Sequence, residues 1–267
     1  MAQARRRSAD AGLRAAVTVG ASLPATFPID RYQDALPSIT VLVNGAARTF
    51  LLDTGAGITC ITPEVAEDVG ATPFGRLVGL RMSGASVELR RCDGVSLRVG
   101  EHTLVPPTVG VIDLAALLPE GWPPVDGVLG LDAFVEQPLT IDLPARVLTL
   151  ESLESLVARQ GSGIDVRIRV ARPVQGFARE VFVAADFGGR TLWLELDSGN
   201  TGPVLLGAHV GLEEDGEITL DLGRTAWTGA CSRQALILDG NLGQSFFAGG
   251  AITLDLASER MTLAAVS

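Results

Sequence analysis

The sequence predicts an all-β protein built from two similar halves, with short helices as accessories. Most segments are apolar or alternating runs of roughly 4–8 residues, a length and pattern typical of strands. Turn dipeptides such as Asn44-Gly45 and Gly188-Gly189 separate them and predict hairpins. A long pattern also occurs twice in the same order, and each copy contains an Asp followed by a hydroxyl residue and a glycine.

The composition indicates a globular chain and excludes several function classes. Of 267 residues, 47% are hydrophobic and 19% are charged, which argues against disordered, collagen-like and coiled-coil proteins. All 21 cationic residues are Arg, so neither a Schiff-base lysine nor the lysine of a Walker A loop is available. With only His102 and His209, a histidine-rich metal cage is excluded. The net charge of −10 argues against a nucleic-acid partner and suits a protein that works in acid.

The repeat has four blocks per copy. The first copy contains residues 39–45, 50–56, 125–134 and 139–150, and the second contains residues 181–189, 194–200, 238–247 and 252–263. Asp53 and Asp126 lie 73 residues apart, whereas Asp197 and Asp239 lie 42 apart, so the first copy has 31 extra residues. Short helices are predicted at residues 63–69, where Pro63 suits the first helical position, and at 133–136.

These observations predict four segments: a tail or weak signal-like segment at 1–32, an N-terminal lobe at 33–150, a linker at 151–164 and a C-terminal lobe at 165–267. The start resembles a signal peptide because arginines precede a mildly apolar stretch, although polar residues interrupt that stretch. The location in the cell stays open, with a periplasmic or secreted protein favoured over a cytoplasmic one. No run of about 20 apolar residues predicts a stable membrane span.

The two Asp turns have a chemical rationale. They consist of Asp53, Thr54 and Gly55 and of Asp197, Ser198 and Gly199. Glycine allows a tight turn and a close approach of the two loops, while the hydroxyl can bind one turn to the other. Two carboxyl groups held together share one proton, so the pair offers one acid and one base. The base can then activate a water molecule while the acid hydrogen-bonds a carbonyl oxygen, and we expect neither a metal nor a cofactor.

In these motifs the chain resembles the aspartic peptidases over roughly residues 36–267. The first motif is of the retropepsin type, and the two-lobed single chain is like pepsin and like bacterial-type relatives. The resemblance implies a pepsin-like acid protease fold of two pseudo-symmetric β-barrel lobes, with Asp53 and Asp197 as catalytic residues. The turn residues Thr54, Gly55, Ser198 and Gly199 would support the catalytic loops.

Two features of the second copy differ from the family pattern. In the family a hydrophobic-hydrophobic-Gly segment braces each loop. Residues 128–130 fit this pattern, but residues 241–243 begin with Asn241 instead of an apolar residue. Asn200 follows the second turn where Ser, Thr or Ala is usual, and its amide could hydrogen-bond the neighbouring carboxylate.

The 31 extra residues fall where the family has its flap, the hairpin that covers the substrate cleft. Residues 77–91 fit this hairpin, and Ser83, Gly84 and Ala85 at its tip are candidates for substrate binding. Pepsins carry a Tyr in the flap, whereas the only tyrosine here, Tyr32, precedes the first strand of the repeat.

The expected function is an aspartic endopeptidase that acts on polypeptides as a monomer, because one chain carries both loops. The alternative is a catalytically inactive peptide-binding or protein-binding module with the same fold, motivated by Asn200, Asn241 and the missing flap tyrosine. A glycosidase is less favoured because its two acids need no paired Asp turns. A disulfide between Cys60 and Cys92 stays possible.

Overall fold

The structure, a computed structural model, describes residues 22–265 and consists of three β-sheets with a few short helices. In the first half, the strands are β1 (Ala25–Pro28), β2 (Asp30–Tyr32), β3 (Leu36–Val43), β4 (Ala46–Leu52), β5 (Cys60–Ile61), β6 (Phe74–Leu80), β7 (Ser86–Cys92), β8 (Leu97–Val99), β9 (His102–Leu104), β10 (Val109–Val111), β11 (Gly127–Leu129), β12 (Leu139–Asp142) and β13 (Val147–Leu150). In the second half, they are β14 (Ile164–Val166), β15 (Ile168–Ala171), β16 (Glu180–Phe187), β17 (Arg190–Leu196), β18 (Val204–Gly207), β19 (Gly216–Asp221), β20 (Ala226–Gln234), β21 (Gly240–Leu242), β22 (Ile252–Asp255) and β23 (Arg260–Leu263). This architecture confirms the predicted two-lobed all-β fold.

The first lobe is a ten-stranded sheet in the order β6-β7-β10-β5-β11-β4-β3-β8-β9, with β2 paired to β3. Its central feature is β11, which lies between β4 and β5 and runs parallel to β4, so that Leu129 is opposite Leu52. This pairing places the brace strand directly beside β4, which ends at Leu52, just before Asp53.

The second lobe repeats this arrangement in a seven-stranded sheet, in the order β15-β16-β17-β21-β18-β20-β19. Strand β21 lies between β17 and β18 and runs parallel to β17, with Leu242 opposite Leu196. An additional pairing of Asp186 with Asp221 joins β16 to β19 and closes the sheet. Between the Asp loop and the brace strand, the first lobe has six strands (β5–β10) and the second has three (β18–β20), which accounts for the extra residues of the first copy.

A third sheet joins the two lobes. Its order is β1-β13-β12-β22-β23-β14, so three strands of the first half lie beside three strands of the second half within one hydrogen-bonded sheet. At its centre β12 pairs antiparallel with β22, and Thr140 is opposite Thr253, its counterpart in the repeat. The pseudo-twofold axis of the molecule therefore passes through this pair.

Two predicted irregular segments contain regular structure. The predicted signal-like segment at residues 1–32 lies largely outside the described residues. Its last part contains β1 and β2, and β1 pairs with β13 along residues 147–150. The predicted linker contains helix α2 (Leu153–Ser162). Ser152 caps this helix by accepting from the Ser155 backbone N–H, and Ser155 reciprocates, which is a capping box.

The remaining helices agree with the sequence in place and differ in detail. Helix α1 (Pro63–Asp68) starts at the predicted proline, and Thr62 accepts a hydrogen bond from Val65 N. A 3₁₀ turn at Leu131–Phe134 lies slightly before the helix predicted at 133–136, and α3 (Gln244–Phe247) lies at the equivalent place in the second lobe. Further 3₁₀ turns lie at Val174–Gly176 and Ala208–Val210. Within residues 22–265, no helix is long and apolar enough to cross a membrane.

Candidate active site

Each Asp turn of the repeat follows a strand that is held from the side by its brace. Asp53 follows β4, and its N–H donates to Leu129 O over 3.1 Å. Asp197 follows β17, and its N–H donates to Leu242 O over 3.0 Å. Both Asp residues are therefore fixed by the backbone of β11 or β21, and their side chains project where the two lobes meet.

The hydroxyl groups of Thr54 and Ser198 connect the two turns. Thr54 Oγ1 donates to Leu196 O over 2.7 Å and accepts from Ser198 N over 2.9 Å. Ser198 Oγ donates to Leu52 O over 2.7 Å and accepts from Thr54 N over 3.0 Å. Thr54 and Ser198 are 1% and 0% exposed. The four bonds form a symmetric, buried network that fixes one loop against the other.

The glycines of the turns allow the carboxyl groups to approach. A Cβ atom on Gly55 would lie 2.6 Å from Asp197 Cγ, and one on Gly199 would lie 2.8 Å from Asp53 Oδ2. Both distances are too short for any side chain. Each glycine therefore packs against the carboxyl group of the opposite lobe, and a larger residue at either position would push the loops apart.

The two carboxyl groups are in direct contact. Burial raises the pKa of Asp53 well above its ordinary value, and the charge of Asp197 and a hydrogen bond with it raise that pKa further. The backbone N–H groups of Gly55 and Ala56 act in the opposite direction. Because two adjacent carboxylates cannot both ionise easily, the pair holds one proton between them and titrates as a unit.

The two asparagines of the second lobe lie beside Asp197. The backbone N–H of Asn200 donates to Asp197 Oδ1 over 3.2 Å, but its side-chain amide does not reach the carboxylate. That amide donates instead to Pro203 O and, over 2.9 Å, to Asn241 Oδ1. Asn241 in turn donates to Asp197 Oδ2 over 2.8 Å. The side-chain contact considered for Asn200 is therefore made by Asn241.

Sequence reasoning did not identify Glu195 and Asp132. Glu195 is 6% exposed and accepts from Asn241 Nδ2 over 3.3 Å. Burial raises the pKa of Glu195 to about 9, with further contributions from Asp197 and Glu180. Its position two residues before Asp197, in the otherwise apolar run of residues 192–196, is a signal that could have singled it out.

Asp132 lies in the first lobe and is fully buried. Its Oδ1 accepts from the N–H and the hydroxyl group of Thr59, both over 2.7 Å, and the same hydroxyl accepts from Gly130 N. Burial raises the pKa of Asp132 to about 7, against the effect of the Thr59 hydrogen bonds. Asp132 therefore holds the start of β5, which follows the first Asp loop, against the end of its brace. It is the one acidic residue of its block without a counterpart in the second copy.

An apolar pocket opens beside Asp53. Leucine and valine side chains of the first lobe form most of its wall, and Asp53 and Gly199 reach its edge; the wall includes Leu36, Leu51, Leu114, Leu118, Val125 and Val128. Tyr32 packs against the same apolar cluster. Its ring contacts Trp122 edge-on with centroids 5.5 Å apart, and its hydroxyl donates to Pro123 O. Tyr32 thus packs against residues that form the pocket wall.

The β6–β7 hairpin lies where the sequence predicts the flap, and its tip reaches the second lobe. Ile237 N donates to Met82 O over 2.9 Å. A Cβ atom on Gly84, which has a φ of +85°, would lie 2.9 Å from Ile237 Cγ2. Within the tip, Ser83 Oγ accepts from Ala85 N over 3.4 Å. The hairpin therefore spans from one lobe to the other.

Cys60 and Cys92, considered for a disulfide, are both free thiols, as is Cys231. Cys60 and Cys92 lie on β5 and β7, the two strands that flank β10, so a whole strand separates them. Asp126 and Asp239, which precede the two braces, accept from the backbone N–H groups of Thr49 and Trp193, respectively.

Comparisons with known proteins agree with this geometry. Residues 39–133 match a family model described as aspartyl protease. No curated protein sequence matches the chain. Among solved structures, the aspartic proteinase from Irpex lacteus is similar, with a TM-score of 0.58, 14% identity, and coverage of 91% of this chain and 97% of that one.

Two 7S globulins share the fold. Conglutin gamma, a basic 7S globulin from lupine seeds, has a TM-score of 0.56 at 11% identity, with coverage of 91% of this chain and 96% of that one. Basic 7S globulin from soybean has a TM-score of 0.59 at 9% identity, with coverage of 91% and 95%. Residues 39–133 thus carry the pattern of the aspartyl protease family, and the chain as a whole has the two-lobed fold of the pepsin-like aspartic proteinases.

Proposed function

We propose that the protein is an aspartic endopeptidase and that Asp53 and Asp197 are its catalytic residues. The observation that carries this proposal is the contact between the two carboxyl groups across the lobe interface, held by the reciprocal hydrogen bonds of Thr54 and Ser198. A fold alone does not require such a pair, since a turn needs no buried acid. Two adjacent carboxyls, one buried and one half-buried, are costly for stability, which favours a catalytic reason for them.

The chemistry follows from one shared proton. The ionised carboxylate takes a proton from a water molecule between the two groups, and the water oxygen forms a bond to the peptide carbonyl carbon. The protonated carboxyl gives its proton to the carbonyl oxygen, so the product of this step is a neutral gem-diol. When the diol collapses, the C–N bond breaks, the nitrogen receives a proton from one carboxyl, and the other regains a proton from a hydroxyl group.

The substrate we propose is an extended polypeptide bound between the lobes beneath the β6–β7 hairpin. The pocket lined by Leu51, Leu114 and Val128 would take an apolar side chain next to the cleaved bond. The tip residues Ser83, Gly84 and Ala85 would cover the peptide. We further propose that the monomer is the active form, because one chain supplies both carboxyl groups.

The test is hydrolysis of denatured casein and of a peptide library at pH 3–7. Wild type should cleave, and Asp53→Asn and Asp197→Asn should each lose at least about 10³-fold, a typical cost for a group that acts directly in the reaction. Asp34→Asn, at an exposed site with positive φ that Asn tolerates, is the matched control and should stay active. Equal rates for wild type and both dyad variants would exclude this proposal.

The second candidate is a peptide-binding module without catalysis. It is favoured by the likeness to globulins and by the docked hairpin tip. In that case the peptide library should bind and be recovered intact, and the Asp53→Asn variant should bind as well as wild type. Light scattering of the active or binding fraction would test the monomer in either case.

A further inference from the structure

The repeat gives each lobe an equivalent pair of residues beside its Asp. In the first lobe the pair is Leu51, two residues before Asp53, and Val128, the first residue of the brace. Both line the apolar pocket. In the second lobe the same two positions hold Glu195 and Asn241, which are 6% and 0% exposed. The two halves of the site are therefore symmetric in backbone but not in chemistry.

The orientation of the Asn241 side chain is fixed by its partners. Its oxygen accepts from Asn200 Nδ2 over 2.9 Å, so its NH₂ group must face the acids. That group donates to Asp197 Oδ2 over 2.8 Å and to Glu195 Oε2 over 3.3 Å. Asn200 is itself fixed, because its oxygen accepts from Gly202 N over 2.9 Å.

This network makes the two catalytic carboxyls unequal. Asp197 accepts from the backbone N–H groups of Gly199 and Asn200 and also from the Asn241 amide. Position 128, the first-lobe equivalent of Asn241, is a valine and offers no such donor to Asp53. A hydrogen bond donated to a carboxylate stabilises its ionised form relative to its protonated form.

We propose that Asn241 is a positioning residue that makes Asp197 the ionised member of the pair and leaves the shared proton on Asp53. If the proposed peptidase function is correct, Asp197 is then the base that takes the proton from water, and Asp53 is the acid that donates to the carbonyl oxygen. The assignment of the proton itself does not depend on activity.

The titratable groups around Asp197 agree with this assignment. They are Asp53 from the first loop and Glu195 from β17, and Glu180 from β16 acts on Glu195; all three are acids. Burial raises the pKa of Glu180 and raises that of Glu195 to about 9, so Glu195 is neutral in acid. Neutral Glu195 then accepts from Asn241 without placing a further negative charge beside the pair.

The experiment follows the ¹³C shifts of the aspartate carboxyl carbons with pH in the full-length protein. Asn241→Val places the first-lobe residue at the second-lobe position, and it should raise the lower ionisation of the pair by about one pKa unit or more. Asn241→Thr has nearly the same volume but keeps a donor, so it should restore most of the wild-type value. A purely structural role would affect both variants equally, and that result, or an unmoved lower ionisation, overturns the proposal.

Two further variants assign the proton directly. In Asp53→Asn the remaining Asp197 should titrate at a lower pH than the remaining Asp53 does in Asp197→Asn, and the reverse order overturns the proposal. Where wild type cleaves peptides, the acid limb of its kcat/KM profile should move with the NMR value in both Asn241 variants. If wild type cleaves nothing, the proposed function fails, and the NMR titrations still decide the role of Asn241.

Discussion

At the scale of single residues, Thr54 and Ser198 each satisfy two backbone groups of the opposite lobe. Each hydroxyl donates to the carbonyl that precedes the other Asp and accepts from the N–H of the other hydroxyl residue. Serine and threonine are suited to this because one hydroxyl group is both donor and acceptor. Removing either one therefore leaves two buried backbone groups without partners.

The first prediction follows from the two backbone groups that each hydroxyl satisfies. Thr54→Val is nearly isosteric but leaves Leu196 O and Ser198 N unsatisfied, so the free energy of unfolding should fall by about 1–3 kcal/mol. The measurement is the urea midpoint at constant m-value. Thr103→Val, on an exposed site of β9, is the control and should change stability by less than about 0.5 kcal/mol. An unaltered midpoint for Thr54→Val would show that the hydroxyl group does not support the interface.

The sequence was sufficient to identify residues whose role depends on the residues next to them in the chain. An Asp, a hydroxyl residue and a glycine after an apolar strand form a local pattern, and its repetition located both Asp53 and Asp197. Glu195, Asn241 and Asp132 have roles that depend on side chains far along the chain. Asn241, for example, contacts residues 41 and 44 positions earlier. No local pattern records those contacts, so the structure was needed to find them.

At the scale of elements, the β6–β7 hairpin was predictable, whereas its contact with the second lobe was not. The 31 extra residues and the Ser-Gly-Ala tip indicate an inserted hairpin. Its docking depends on a backbone hydrogen bond between Met82 and Ile237, which any residue pair could form. Helix α2 was likewise missed from the sequence. The composition of residues 151–164 predicted a linker, whereas the capping box of Ser152 and Ser155 starts a helix there.

The second prediction concerns this docking. Ile237 is 53% exposed, and its Cγ2 lies against the flap tip at Gly84. Ile237→Ala should weaken the contact and speed amide hydrogen exchange at residues 81–85, while global stability changes by less than about 1 kcal/mol because little buried surface is lost. Leu153→Ala, at an exposed apolar site on α2, is the comparison and should leave exchange in the tip unaltered. Equal exchange in wild type and Ile237→Ala would mean that the side chain does not hold the tip.

At the scale of the whole molecule, the buried acids set the pH dependence of stability. Asp53, Asp132 and Glu195 all have raised pKa values because of burial, and the pKa values of the latter two are about 7 and about 9. In the unfolded chain these groups ionise near their ordinary values of about 4. Between about pH 4 and these raised values the folded state therefore binds more protons than the unfolded state, and stability falls as pH rises.

The third prediction is a urea midpoint that is higher at pH 5 than at pH 8. Each acid that stays protonated only in the folded state contributes a slope of up to about 1.4 kcal/mol per pH unit. Glu195→Gln should flatten the fall up to about pH 9, and Asp132→Asn should flatten it up to about pH 7. A midpoint that rises from pH 5 to pH 8 in wild type would contradict the assignment of these groups as neutral in the fold.

The sheet shared by the lobes affects what happens when one lobe unfolds before the other. One edge of strand β12 pairs with β22 from the other half of the chain, and the hydroxyl groups of Thr140 and Thr253 form a hydrogen bond of 2.8 Å between the two strands. If the second lobe unfolds first, β12 becomes a free edge with unpaired backbone groups. If the first lobe unfolds first, β22 becomes that edge. Because β12 and β22 have nearly the same sequence, either free edge can pair with β12 or β22 of a neighbouring molecule. Partly unfolded protein should therefore self-associate by exchanging these strands. The lobe that unfolds first would decide whether β12 or β22 is the exposed strand that starts the aggregate.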